Sequence, residues 1–172
     1  MRAAEPARLA PVRALVALGA NLGDARATLR AAGEALAHLP STQVIARSSL
    51  YRTAPVEATG PDFYNAVVCL KTALPALGLL DALQAIEHEF GRQRPFRNAP
   101  RTLDLDVLTY GDEPLHSERL TVPHPRLHQR AFVLRPLLDV APDLIIPGVG
   151  AAQSCLPGVA DQAIERVGGT DW

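Results

Sequence analysis

Two rhythms of apolar and polar residues alternate along the chain. Residues 14–19 (ALVALG) form a short apolar run ending in glycine, which predicts a buried strand. The ANLGD that follows predicts a turn with Asp24 as a helix N-cap. Leu29, Ala32, Leu36 and Leu39 then recur at helical spacing, and Pro40 closes that helix. Residues 43–51 alternate loosely and predict a second strand. Residues 52–62 (RTAPVEATGPD) hold two prolines and a glycine and predict a long loop. Residues 64–72 (YNAVVCLKT) predict a third strand. Residues 75–90 predict a helix with Leu79, Leu80, Leu83, Ile86 and Phe90 on one stripe, Pro75 near its start and Gly91 at its end.

A second long loop, GRQRPFRNAPR, covers residues 91–101. The TLDLDVLTY of 102–110 alternates over most of its length and is the strongest strand signal. Gly111 and Asp112 turn the chain toward a further strand near 113–120. PHPRLHQR begins a short helical region that 131–138 continues, with Pro136 as a break. Residues 142–172 read as a Pro/Gly-rich tail with one last helix near 159–167. The order β-α-β-β-α-β, followed by C-terminal additions, predicts an α+β fold: a ferredoxin-like antiparallel sheet with helices packed in a sandwich.

Composition narrows the class. The 172 residues are 48% hydrophobic and 20% charged, which fits a single domain over 12–172 with 1–11 as a loose extension. Lys plus Arg is 17 and Asp plus Glu is 18, which argues against a generally basic nucleic-acid partner and against an acidic disordered tail. Cys69 and Cys155 lie far apart without metal spacing, so neither a disulfide framework nor a zinc site is expected, and a reducing cytoplasm is the default. No uninterrupted run of about 18 apolar residues predicts a membrane span. Of the basic residues only Lys71 is lysine; the rest are arginine. Codon bias explains such an excess, and so does forked recognition of phosphate. Position has to decide between them.

Position favours phosphate. Strand side chains alternate, so Asp104 and Asp106 share one face while Leu103, Leu105 and Val107 share the other. A bare D-x-D is most often a solvated strand face. Here Arg92, Arg94, Arg97 and Arg101 immediately precede the acids, which fits a polyphosphate held between Mg2+ and guanidinium groups. Arg119, Arg126 and Arg130 add phosphate-binding capacity around His124, which has no partner at metal-ligand spacing. Gln84 and Glu87, at i and i+3 on the second helix, could hydrogen-bond a purine and ribose, although a solvated helix face produces the same pair. Residues 19–23 lack the Lys-Ser/Thr of a P-loop, and no G-x-G-x-x-G occurs.

Together these segments resemble the 6-hydroxymethyl-7,8-dihydropterin pyrophosphokinase family, from about Leu15 to Pro147. RNAPRTLDLDVLTYG carries the resemblance most specifically, supported by ALGANLGD, SSLYRTAPV, FYNAVV and RLTVPHPRLHQRAFVLRPL. The resemblance implies transfer of pyrophosphate from ATP to the pterin hydroxymethyl oxygen, with release of AMP. It implies Asp104 and Asp106 as ligands of two Mg2+ ions and Arg92 and Arg101 as the catalytic arginines. For ATP it implies these two arginines with Gln84, Glu87, Arg94, Arg97, Val107, Arg119, Thr121, His124 and Arg130. For the pterin it implies Gly19, Thr53, Ala54, Pro55, Val56, Phe63, Asn65 and Phe132. The chain departs from the family pattern at Asn98, Ala54, Phe63 and Pro125. The resemblance also implies mobile loops at 52–62 and 91–101. A monomeric, stand-alone kinase is expected, because the chain is too short to hold a fused folate enzyme. The rivals are a ferredoxin-like nucleic-acid-binding module and another Mg2+-dependent nucleotide transferase.

Overall fold

The computed structural model describes residues 10–55, 60–91 and 103–172. Strand β1 (Val12–Ala20) leads through the Asn21–Asp24 turn into helix α1 (Ala25–Ala37). Asp24 is the expected N-cap: its side chain accepts the Ala27 N–H at 3.1 Å. Strands β2 (Thr42–Arg47), β3 (Tyr51–Thr53) and β4 (Phe63–Thr72) follow, then α2 (Ala76–Phe90) and β5 (Asp104–Tyr110). Two-residue strands β6 (Leu115–His116) and β7 (Thr121–Val122) pair with each other. A short 3-10 helix, Leu127–Gln129, precedes α3 (Ala131–Val140). Hairpin strands β8 (Ile145–Ile146) and β9 (Gly150–Ala151), a second 3-10 helix (Ala152–Val159) and β10 (Glu165–Arg166) complete the chain.

The main sheet is antiparallel, in the order β10-β3-β4-β1-β5, with β2 also paired to β4. Alternation gives it two buried faces. Ala14, Val16 and Leu18 of β1, Ala66, Val68 and Leu70 of β4, and Leu105 and Val107 of β5 pack with Leu29 and Leu36 of α1 and Leu79 and Leu83 of α2. Leu15, Val67, Cys69 and Leu108 face the other way, onto Leu134 and Leu137 of α3 and Ala152 and Val159 of the tail. Among the described residues no helix is long and apolar enough to cross a membrane.

Several boundaries differ from expectation. The single strand expected at 43–51 is two strands. Arg47 pairs with Val68 and Tyr51 with Asn65, so three residues, 48–50, face two, 66–67. The extra residue makes a bulge. Ser48 Oγ takes the Val67 N–H at 2.9 Å, and the carbonyls of Ser48 and Leu50 turn away. The C-terminal segment claims both: Val167 N–H donates to Leu50 O at 2.8 Å and Trp172 Nε1–H to Ser48 O at 2.7 Å.

The strand expected at 113–120 is reduced to the β6–β7 pair outside the main sheet. Pro136 does not break α3. The helix continues because Val133, Leu134, Pro136 and Leu137 are all buried against the sheet, and that packing outweighs one missing backbone bond. The helix expected near 159–167 does not form: the 3-10 helix Ala152–Val159 ends there, and the chain turns into a strand on the sheet edge.

Candidate active site

β5 places the paired acids as alternation requires. Leu103, Leu105 and Val107 are buried among α1 and α2, while Asp104 is half-buried and Asp106 exposed on the opposite face. That face opens into a cleft of about 790 Å³, within the usual ~300–1,000 Å³ range of small-molecule sites. Ala17, Leu18 and Gly19 of β1 and Asp104, Asp106 and Leu108 of β5 line its floor. Thr53, Ala54, Pro55, Phe63 and Asn65 line one wall, and His124, Arg126, Gln129, Arg130 and Phe132 another.

Inside the cleft, the buried Asn65 amide donates to Thr53 Oγ1 at 3.1 Å, which sets the direction of its carbonyl oxygen. Gly19 has the close neighbour that explains its lack of a side chain: a Cβ there would sit 3.2 Å from Asn65 Oδ1. On the other wall the Arg130 guanidinium lies 5.5 Å from the Phe132 ring centroid, within cation–π range.

A second bulge positions His124. Leu15 pairs with Thr109 and Val16 with Val107, so Leu108 is the extra residue in β5. Its carbonyl accepts the His124 N–H at 2.8 Å. His124 Nδ1 accepts the Arg126 N–H at 3.2 Å, which places the proton of the neutral ring on Nε2. Burial lowers the His124 pKa below its ordinary value; Asp106 opposes that shift, and Arg130 and Arg126 reinforce it.

The remaining expected residues divide in three. Gln84, Glu87 and Arg119 meet along α2, beside β5. Glu87 Oε2 accepts the Leu105 N–H at 3.0 Å, between the two aspartates, and Arg119 pairs with Asp81 at 2.5 Å and reaches Gln84 Oε1 at 3.3 Å. Thr121 sits opposite His116 in the β6–β7 pair, and the Val107 side chain lies in the α1/α2 core, so neither lines the cleft. Val56, Arg92, Arg94, Arg97 and Arg101 lie outside the described residues. Gln129, Gln162 and Ala163 line the cleft without having been expected. Gln162 and Ala163 fall in a tail with no motif, and no sequence periodicity connects them to the site.

An antiparallel α+β domain with paired carboxylates and cationic groups around a small-molecule cleft defines a class. The comparisons with known proteins specify it further. Residues 15–142 match the family described as 7,8-dihydro-6-hydroxymethylpterin-pyrophosphokinase, and the chain belongs to that family. It is 48% identical over 158 residues to the 2-amino-4-hydroxy-6-hydroxymethyldihydropteridine pyrophosphokinase of Pseudomonas aeruginosa, covering 91% of this chain and 98% of that one. The enzyme of the same name from Methylorubrum extorquens is 44% identical over 156 residues, covering 90% of this chain and 98% of that one. Among solved structures, wild-type Plasmodium falciparum HPPK-DHPS aligns with a TM-score of 0.70 at 16% identity; the match covers 86% of this chain and 44% of that longer one. At that identity the likeness concerns the fold.

Proposed function

We propose that this pyrophosphokinase, an enzyme of folate biosynthesis, carries out its reaction in the cleft between β5 and α3. It transfers pyrophosphate from ATP to 6-hydroxymethyl-7,8-dihydropterin and releases AMP. The observation that carries the site assignment is the pair Asp104 and Asp106, which open from one face of β5 into a cleft that Asn65, Thr53 and Phe132 also line.

The pterin lies on the Thr53–Asn65 side. Asn65 pairs with donor and acceptor edges of the ring, its orientation held by Thr53, and Phe132 stacks on the ring face. Gly19, Ala54, Pro55 and Phe63 shape the pocket, and Val56, outside the described residues, is a further pterin contact in this reading. ATP lies along the flank from His124 and Arg130 to α2. There Gln84, Glu87, Arg119 and Thr121 complete its contacts, and Val107, whose side chain is in the core, offers its backbone; Arg94 and Arg97, outside the described residues, are further ATP contacts in this reading. In this arrangement the hydroxymethyl oxygen attacks the β-phosphorus in line with the departing AMP. Arg92 and Arg101 act as catalytic groups, offering forked, charge-assisted hydrogen bonds to the phosphates. Neutral His124 offers Nε2–H as a further donor.

The donor set fits Mg2+: two same-facing carboxylates supply hard oxygen ligands, and ATP phosphates complete the shell. Asp104 and Asp106 would hold two such ions, which offset charge on the triphosphate and on the attacking and leaving oxygens. The strand order supports the ferredoxin-like reading when β2 and β3 are counted as one bulged strand: the fourth, first, third and second strands then run in sequence across the sheet. Free cysteines at 69 and 155 are compatible with a reducing cytoplasm, and a monomer is the simplest working state.

Calorimetry with a hydroxymethylpterin, a non-hydrolysable ATP analogue and Mg2+ tests the reading. Strong mutual dependence of the two ligands is expected. Loss of that dependence in Asp106→Ala and Asn65→Ala would locate it in this cleft; wild-type titrations from both variants would remove it from there.

A further inference from the structure

We infer that Gln162, in the C-terminal segment, is a positioning residue: it staples the turn that presents Arg130 and Phe132 to the ligands. The inference rests on the reading of the cleft as the pterin and ATP site. Helix α3 begins at Ala131, and its N-cap, Arg130, makes no side-chain capping bond. The Ala131 N–H is taken instead by Gln162 Oε1 at 2.8 Å. The same amide donates through Nε2 to Gln129 O at 2.9 Å. These two backbone groups flank Arg130, so one side chain fixes the chain direction on both sides of it. Arg130 in turn sits over the Phe132 ring, 5.5 Å from its centroid, so the turn carries both side chains.

Gln162 is itself anchored. Its N–H bonds Val159 O at 3.0 Å. Three residues on, Glu165 pairs with Arg52 in the sheet and forms an ion pair with it at 2.5 Å. The next residue of β3 after Arg52 is Thr53, on the opposite wall of the cleft. The tail therefore ties the two walls to each other through a span of four residues. Both ends of the Gln162 amide bond to protein, and through these two bonds it acts on the turn.

Gln162→Met keeps the length of the side chain and removes both bonds. On the full chain, calorimetry with a hydroxymethylpterin, Mg2+ and a saturating non-hydrolysable ATP analogue is expected to show pterin affinity weakened about fivefold, the scale of one net hydrogen bond. Gln162→Glu keeps the acceptor for Ala131 and loses the donor; it is expected to fall between the two, and it serves as the test if the methionine variant fails to fold. Leu36→Val, in the core under α1, is the control: it lowers Tm with pterin affinity unchanged. Wild-type affinity in the Gln162 variants overturns the inference, and so does equal weakening in Leu36→Val. A wild-type chain that binds no hydroxymethylpterin even with the ATP analogue and Mg2+ present overturns the reading of the cleft instead, a different and separately visible result.

Discussion

The two faces of the main sheet are made by the same strands and do different work. On one face, alternate residues of β1, β4 and β5 meet α1 and α2 in a closed apolar core that includes Leu18, Leu70, Leu83 and Leu105. On the other face, Leu15, Val67 and Leu108 meet α3 and the tail, but that covering stops short. Beyond its edge the outward positions become Asp104, Asp106, Asn65 and Gly19, and the cleft opens. Along β5 the contrast is one residue wide. Leu105 is 4% exposed, and the carboxylates on either side of it face the cleft. A site built this way inherits rigidity from a core that it does not have to share.

Substitutions at neighbouring positions on opposite faces of β5 separate the two faces most strongly. Asp106→Ala is expected to lower AMP release by at least about a thousandfold, several kcal/mol of transition-state stabilisation, with the thermal melt little changed. A near wild-type rate would take the metal role away from β5. Leu105→Ala should do the converse. It is expected to cost about 2–5 kcal/mol in urea unfolding while the folded fraction keeps its turnover. Loss of activity at full stability would mean that the two faces are not independent.

A smaller effect is expected at Gly19, on the floor of the cleft. Gly19→Ala places a methyl 3.2 Å from Asn65 Oδ1, and steady-state kinetics should find pterin KM raised on the order of tenfold, with kcat and ATP KM nearly unaffected. Unchanged pterin KM would separate Asn65 from substrate recognition.

The smallest effect concerns the tie between β3 and α3. Burial and a 2.8 Å hydrogen bond to Asp139 raise the Tyr51 pKa from 10.0 to about 12. The folded state thus favours the neutral phenol, and the stability this contributes is present below pH 10 and lost as pH rises from 10 toward 12. Asp139→Asn is expected to lower the Tyr51 pKa in an absorbance titration without returning it to 10.0, because burial is the larger cause. A full return would mean that the carboxylate alone sets it.

Much of this architecture is legible in the linear pattern. The Asp24 cap, the stripes of α1 and α2, and the shared direction of Asp104 and Asp106 all depend on neighbours within a few residues. The misread elements depend on distant ones. The chain bends at Ser48 because Ser48 and the β4 backbone meet, and Pro136 sits inside a helix because the sheet covers that face. The tail was least legible. Trp172 is buried in the α1/α2 core, and Arg47 lies 5.2 Å over its ring, but no period in the sequence connects residue 172 with residue 47.

The linear pattern is enough for the order of β1, α1, β4, α2 and β5, for the two-faced character of β5 and for the family to which that strand belongs. These follow from side-chain periodicity and from a motif contained in one segment. What fills the bulges at Ser48–Leu50 and at Leu108 comes from the packed domain. An extra residue in a paired strand turns carbonyls out of the ladder, and a buried carbonyl must find a donor. At Leu108 that donor is the His124 N–H, which brings the histidine to the cleft; at Ser48 and Leu50 the donors are Trp172 and Val167, which hold the tail against the sheet. Which distant N–H arrives at each carbonyl depends on packing across the whole domain, and no local pattern encodes it.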